Sequence, residues 1–240
     1  MSDPTFNIDE LPVPFKPGQT ILEAAKAAGV FVPHLCHHPD LKPHGGCKLC
    51  TVVVNGRTQS ACTYKAAAGQ EVDVDTPELD AMRRSLVQML FIEGNHFCPG
   101  CEKSGNCELQ ALGYEYEMMS PHFVEFFPNR EIDASHPDAM IERNRCILCE
   151  RCVRASRDLD KKNVFGIAGR GGKATLVVNS PSGKLVDSDV AVTDHAARVC
   201  PVGAILIKRV GFERPIGERA YDRAPMSAEV EVCEIPESGS

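Results

Sequence analysis

The sequence predicts an α+β chain of small units joined by cysteine-bearing loops. Three observations support this. Strand-like and helix-like patterns alternate over short stretches. Asn-Gly and Gly-rich turns interrupt them. The 12 cysteines fall into three spaced groups and one outlier. The expected units are residues 1–76, 77–138 and 139–210, followed by a tail, 211–240.

In the first unit, Thr20-Ile-Leu-Glu23 is a capping box that opens a helix stopping at Gly29. Thr51-Val-Val-Val, Asn55-Gly56 and Arg57-Thr-Gln read as a hairpin. Residues 71–75 alternate like a half-buried strand. In the second unit, Thr76 is an N-cap and Pro77 the first helical residue. Met82, Leu86, Met89 and Leu90 then recur at helical spacing up to Gly94. Glu108-Leu-Gln-Ala-Leu continues as a short helix. Residues 120–138, with Pro121, Pro128, Pro137, Phe123, Phe126 and Phe127, read as an ordered connecting loop. The third unit holds a Gly-rich turn at 166–172, a strand over Thr175–Val178 and a return to Cys200. The tail has little periodicity and is expected against a partner or in solvent.

Composition narrows the function. The chain has 240 residues, 43% hydrophobic and 25% charged, with a net charge of −7. An acidic balance argues against nucleic acid, whose phosphates need a basic footprint. No apolar run reaches membrane-spanning length; the densest, 86–92, is broken by Gln88. The first residues carry no charged n-region and no apolar h-region, so no secretory signal is expected. Cytoplasmic placement follows, where thiols stay reduced and dense cysteine means metal rather than disulfides.

The first ligand set is Cys36-x10-Cys47-x2-Cys50-x11-Cys62. A [2Fe-2S] rhomb takes two thiolates per iron, and plant-type ferredoxins supply them as a loop, a close pair and a distant fourth cysteine. The strand, helix and hairpin around this set resemble that β-grasp domain. Gly45 and Gly46 let the backbone wrap closely and aim N–H groups at sulfur. His34, His37, His38 and His44 crowd the loop. A Rieske centre would take two of them, but four thiolates already suffice, so they read as solvated loop histidines. A zinc site is the competing reading, although only one CxxC knuckle is present.

The second set is His96-x-Cys98-x2-Cys101-x5-Cys107. Three cysteines give three corners of a [4Fe-4S] cubane, and His96 is placed to supply the fourth. Closure by Cys233, or zinc on the same four residues, stays open here. The third set is Cys146-x2-Cys149-x2-Cys152 with remote Cys200-Pro201, an all-cysteine [4Fe-4S] pattern in a ferredoxin-like unit. Arg143, Arg145, Arg151, Arg154 and Arg157 surround it, either as a solvated face or to offset cluster charge. Twelve ligands make three tetrads and leave Cys233 as a spectator thiol. No nucleophile–base pattern or P-loop stands out, and Gly166-x2-Gly169-x-Gly171-Gly172 is a turn rather than a dinucleotide loop. No active site is expected.

These blocks, above all Cys98-Pro-Gly-Cys101-Glu-Lys-Ser-Gly-Asn-Cys107, Arg145-Cys-Ile-Leu-Cys-Glu-Arg-Cys-Val-Arg154 and Val199-Cys-Pro-Val-Gly-Ala-Ile205, resemble the N-terminal part of the large iron–sulfur subunit of respiratory complex I. The run from Glu93 to Cys101 looks most like the small diaphorase subunits of soluble NAD-reducing [NiFe] hydrogenases. The complex I family usually leaves three residues between its ligand histidine and the next cysteine; here only Phe97 intervenes. The resemblance implies an electron relay between a [NiFe] hydrogenase small subunit and a flavin/NAD(H)-binding diaphorase subunit. Relay in a formate dehydrogenase, an iron-only hydrogenase or a complex I-like assembly is the alternative.

Overall fold

The computed structural model describes residues 3–118 and 120–228. Its first unit contains β1 (Thr5–Ile8), β2 (Leu11–Pro14), α1 (Ile21–Ala27), β3 (Thr51–Val54), β4 (Arg57–Ser60) and β5 (Glu71–Asp73). The strands form one sheet in the order β2-β1-β5-β3-β4, parallel at β1–β5 and antiparallel elsewhere. This is the expected β-grasp. The capping box closes both ways: Glu23 N–H donates to Thr20 Oγ1 (3.2 Å) and Thr20 N–H to Glu23 Oε2 (2.6 Å). Asn55 and Gly56 are both left-handed (φ 48° and 76°), as a type I′ hairpin requires. The β1–β2 hairpin turns through Asp9 and Glu10, also left-handed. Asp9 is fixed there because its carboxylate accepts from the Val74 and Asp75 N–H groups (2.8 and 3.2 Å).

The second unit opens with α2 (Pro77–Ile92), capped by Thr76, whose hydroxyl accepts from Leu79 N–H. Its buried face is Leu79, Arg83, Val87, Gln88 and Ile92, while Met89 is exposed. The expected apolar stripe is thus rotated, because Arg83 anchors the helix. That side chain is 2% exposed, and it donates to the carbonyls of Val74 (2.8 Å) and Thr51 (3.0 Å) in the β-grasp unit. Next come α3 (Glu108–Glu115) and, inside the expected loop, the short strand β6 (Ile132–Asp133). Asp133 tolerates burial because its carboxylate accepts from Ser135 and from Leu185 N–H.

The third unit holds β7 (Ala139–Glu142), α4 (Arg151–Asp158), β8 (Phe165–Ala168), β9 (Thr175–Val178), α5 (His195–Arg198) and β10 (Ile205–Ile207). They give a β10-β7-β6 sheet and a β8–β9 hairpin.

The tail, expected against a partner or in solvent, folds back on its own chain over its described part. Tyr221 N–H donates to Gly105 O (2.9 Å), Arg219 Nη1 to Ser104 O (3.2 Å) and Ala220 N–H to Asn106 Oδ1 (3.0 Å). Met226 is buried beside α3.

One core fills the β-grasp unit and another the third unit. Between them lies a central core of Leu35, Leu49, Val87, Leu109, Leu112, Val202, Ala204 and Met226, drawn from every unit and the tail. Among the described residues no helix is long and apolar enough to cross a membrane.

Replacing Arg83 with Ala strands the Thr51 and Val74 carbonyls in the interior and should destabilise the chain by about 3 kcal/mol. Asp80→Ala, which removes a half-exposed partner at 3.3 Å, should cost under about 1 kcal/mol. Urea-unfolding midpoints compare the two, and equal losses would contradict the anchoring role of Arg83.

Candidate metal centres

All eleven described cysteines are free thiols. Cys233 lies outside the described residues.

The first set sits where the loop after α1 meets the β3–β4 hairpin. The Cys36 sulfur hydrogen-bonds with Cys47 and Cys62, and Cys62 in turn with Cys50. The N–H groups of Gly46 and Cys47 point at Cys36 sulfur. Lys48, between the paired cysteines, is left-handed (φ 60°), which turns both side chains inward. Sharing of hydrogen bonds with Cys47 and Cys62 pushes the Cys36 thiol well down. Cys47 and Cys62 go well up for the same reason.

Three of the neighbouring histidines, His34, His37 and His38, are less solvated than expected, while His44 is exposed as expected. His37 is buried with Nδ1 unpartnered, and burial pushes it down to about 4. His34 Nδ1 lies 2.9 Å from the Val32 carbonyl. His44 Nε2 faces Glu150 at 3.6 Å.

The second set converges. His96, Cys98, Cys101 and Cys107 line one small cavity, closed by Phe97, Gln110, Arg145 and Gly203. His96 Nε2 is buried without a hydrogen-bond partner. Burial first, then the Arg145 charge, pushes the ring down to about 4, so it is neutral at physiological pH. A hydrogen bond to the Leu90 backbone and edge contact with Phe91 (5.4 Å between centroids) fix its orientation. A neutral imidazole with one nitrogen tethered to backbone and the other bare is how metal-binding histidines are prepared.

Two glycines leave room for this arrangement. A Cβ on Gly94 would stand 2.4 Å from His96 Nε2, and one on Gly203 would stand 2.6 Å from Cys101 sulfur. Cys107 sits at the N-terminus of α3 and takes N–H groups of Leu109 and Gln110, yet burial still lifts its thiol to about 12.

The third set also converges. Cys146, Cys149, Cys152 and Cys200 line a single cavity walled by Leu148, Ile167, Leu176, Val202 and Ile205. Leu148 and Glu150 are left-handed (φ 53° and 57°), which lets three cysteines three residues apart face one point. Cys152 lies in the first turn of α4, and Cys200 follows α5. Burial pushes Cys146 up to about 11 and Cys149 and Cys152 higher. Such thiols keep their protons at neutral pH until iron displaces them.

Among the described residues, no three His, Cys, Asp or Glu side chains are grouped to hold a single metal ion. A lone zinc draws its donors within about 2.3 Å of one point. Sulfurs that instead wall a void suit a larger group, and the bare His96 nitrogen gives that group its fourth donor. The residues therefore fit iron–sulfur clusters.

The surrounding arginines are mostly buried, not a solvated face. Arg151 binds Glu108 through both oxygens (2.6 and 2.7 Å), and Arg145 reaches Glu102 (3.0 Å). These pairs tie the third set to residues adjoining Cys107 and Cys101. Arg143 donates to the Leu176 and Glu131 carbonyls. Only Arg157 matches the solvated reading, paired with neighbouring Asp158. Sequence reasoning misses Glu102, Glu108, Gly94 and Gly203. An acid directly after Cys101 and another after Cys107, opposite arginines beside the third set, is the available signal.

Comparison with known proteins agrees with this geometry. Residues 4–77 match the 2Fe-2S iron-sulfur cluster binding domain. Residues 83–122 match the NADH-ubiquinone oxidoreductase-G iron-sulfur binding region, and 140–207 the 4Fe-4S single cluster domain. The chain is 29% identical over 223 residues to the mitochondrial NADH-ubiquinone oxidoreductase 78 kDa subunit of Candida albicans, covering 88% of this chain but 29% of that protein. It is 41% identical over 218 residues to the gamma subunit of the NAD-reducing hydrogenase HoxS of Cupriavidus necator, spanning 90% of this chain and 92% of the relative. A chain in the crystal structure of NAD+-reducing [NiFe]-hydrogenase in the H2-reduced state superposes with a TM-score of 0.91 at 53% identity, covering 94% of this chain and 96% of that one. The match to that gamma subunit runs nearly end to end at 41% identity, and the chain therefore belongs to the gamma-subunit family of NAD-reducing hydrogenases.

Proposed function

We propose that this chain is the electron-relay subunit of an NAD-reducing hydrogenase, working in the cytoplasm between a [NiFe] hydrogenase small subunit and a flavin/NAD(H)-binding diaphorase subunit. Cys36, Cys47, Cys50 and Cys62 would hold one [2Fe-2S] cluster. His96, Cys98, Cys101 and Cys107 would hold one [4Fe-4S] cluster, and Cys146, Cys149, Cys152 and Cys200 another. Bound clusters of these types take up and give back one electron at a time.

The observation that carries the reading is the shared central core. Cys47 of the first set, Cys107 of the second, and Cys146 and Cys200 of the third all pack against it. Electron exchange falls steeply with distance, and one core brings all three sites together. Gly46 and Cys47 N–H groups aimed at Cys36 sulfur favour the more negative, reduced state there. Apolar walls around the third set exclude water. The exposed Phe97, Phe126 and Phe127 are suited to be covered by a partner subunit.

Anaerobic isolation of the whole complex should give at least about ten irons for each copy of this chain, the partners' iron adding to that, with acid-labile sulfide, together with nickel and flavin. Molybdenum in place of nickel would move the relay to a formate dehydrogenase. A colourless zinc protein would overturn it.

His96→Ala should remove or alter one [4Fe-4S] EPR signal and leave the [2Fe-2S] signal. His96→Cys should restore a four-iron signal at lower potential, since thiolate adds negative charge. Unchanged spectra in both would place the fourth ligand elsewhere.

Truncation after Gly211 strips Arg219, Tyr221 and Met226 from the loop bearing Cys101 and Cys107. It should lower iron retention at the second site only, read as loss of that one signal. A Phe126→Asp, Phe127→Asp double variant should keep its iron but co-purify less of the other subunits; undiminished assembly would show that this face is not covered.

A further inference from the structure

Arg154 lies on the buried side of α4 and is 4% exposed. Its Nη2 donates to the carbonyls of Cys36 and Cys149. Nη1 donates to the Lys42 carbonyl (2.7 Å) and Nε to that of Glu150 (3.3 Å). One guanidinium thus grips the backbone of a first-set and a third-set cysteine, 118 and 5 residues away in sequence.

Every acceptor it uses is a neutral carbonyl. Arg145, Arg151 and Arg157 each have a carboxylate within 4 Å; among the described residues Arg143 and Arg154 have none, and of these two Arg154 is the one that bonds backbone of both the first and the third sets. A buried cation without an anion is strongly unfavourable, and carbonyl dipoles offset only part of that. The negative charge that suits it is the thiolate sulfur on either side, Cys36 and its partners in one direction and Cys149 and its partners in the other. Arg145 and Arg151 are each paired with a carboxylate, Glu102 and Glu108, which offsets part of their charge. Arg154 has no such partner among the described residues and bonds backbone of both the first and the third ligand sets.

We propose that Arg154 is a positioning residue that clamps the first and third ligand sets together and, as their shared uncompensated cation, makes both sites easier to reduce while leaving the His96 site alone. The inference rests on the ligand assignment given under the proposed function.

The test is an EPR-monitored redox titration of the complete complex carrying Arg154→Gln or Arg154→Lys. The Gln variant should shift the midpoint potentials of both the [2Fe-2S] and the all-cysteine [4Fe-4S] signals downward and leave the histidine-ligated signal in place. The Lys variant keeps the charge and should bring both back toward the parent. A Gln variant that moves neither signal, one alone or all three alike overturns the proposal, as does a Lys variant shifted as far as Gln.

If the Gln variant assembles poorly, iron loss confined to the first and third sites supports the clamp, and equal loss from all three overturns it. Failure of the ligand assignment would show separately, as a parent complex without three cluster signals.

Discussion

The structure depends on one constraint: donor atoms are packed away from water with no adequate partner inside the protein. His96 Nε2 is the clearest case, since a buried polar nitrogen left bare costs about 1–3 kcal/mol. The thiols of Cys107, Cys146, Cys149 and Cys152 are held protonated by the same burial. Under the proposed ligand assignment, clusters filling the gaps between these groups would add to the stability of the fold, so cluster binding and folding would be coupled.

Around the ligand sets runs a second layer of ties. Arg83 fastens α2 to the β-grasp unit, Arg151 and Arg145 fasten the third set to the second loop, and Arg154 fastens it to the first. The Arg151–Glu108 pair is bidentate and mostly buried, a geometry in which removing one partner costs about 3–5 kcal/mol. Three units that look separable along the chain are therefore tied together, and one core is shared by cysteines of all three ligand sets.

Local chemistry was legible in the sequence where the signal was local. The Thr20 and Thr76 caps, the Asn55-Gly56 hairpin, the α2 start and the β9 strand follow from residues within a few positions of one another. The third ligand set is marked by its spacing, and the clustering of His96 with Cys98, Cys101 and Cys107 could be anticipated from proximity alone. What escaped depends on partners far along the chain. Helix α4, Arg-Cys-Val-Arg-Ala-Ser-Arg-Asp, shows no apolar stripe because its buried face is carried by arginines whose acceptors are at Cys36, Lys42 and Glu108. Strand β6 buries Asp133 because Leu185 lies opposite. The rotation of α2 follows from two carbonyls in another unit, and the tail's contact with its own chain could not be read from its pattern because the Ser104 and Gly105 carbonyls and the Asn106 side chain hold it. His37 read as solvated because nothing in the loop sequence reveals what covers it.

The most direct measurement is an anomalous difference map of the anaerobically crystallised complex at the iron edge. The expected result is three separate peaks on this chain, one among Cys36, Cys47, Cys50 and Cys62, one beside His96, and one among Cys146, Cys149, Cys152 and Cys200. An absent peak beside His96, or signal at the zinc edge instead, would contradict the assignment of three iron–sulfur centres.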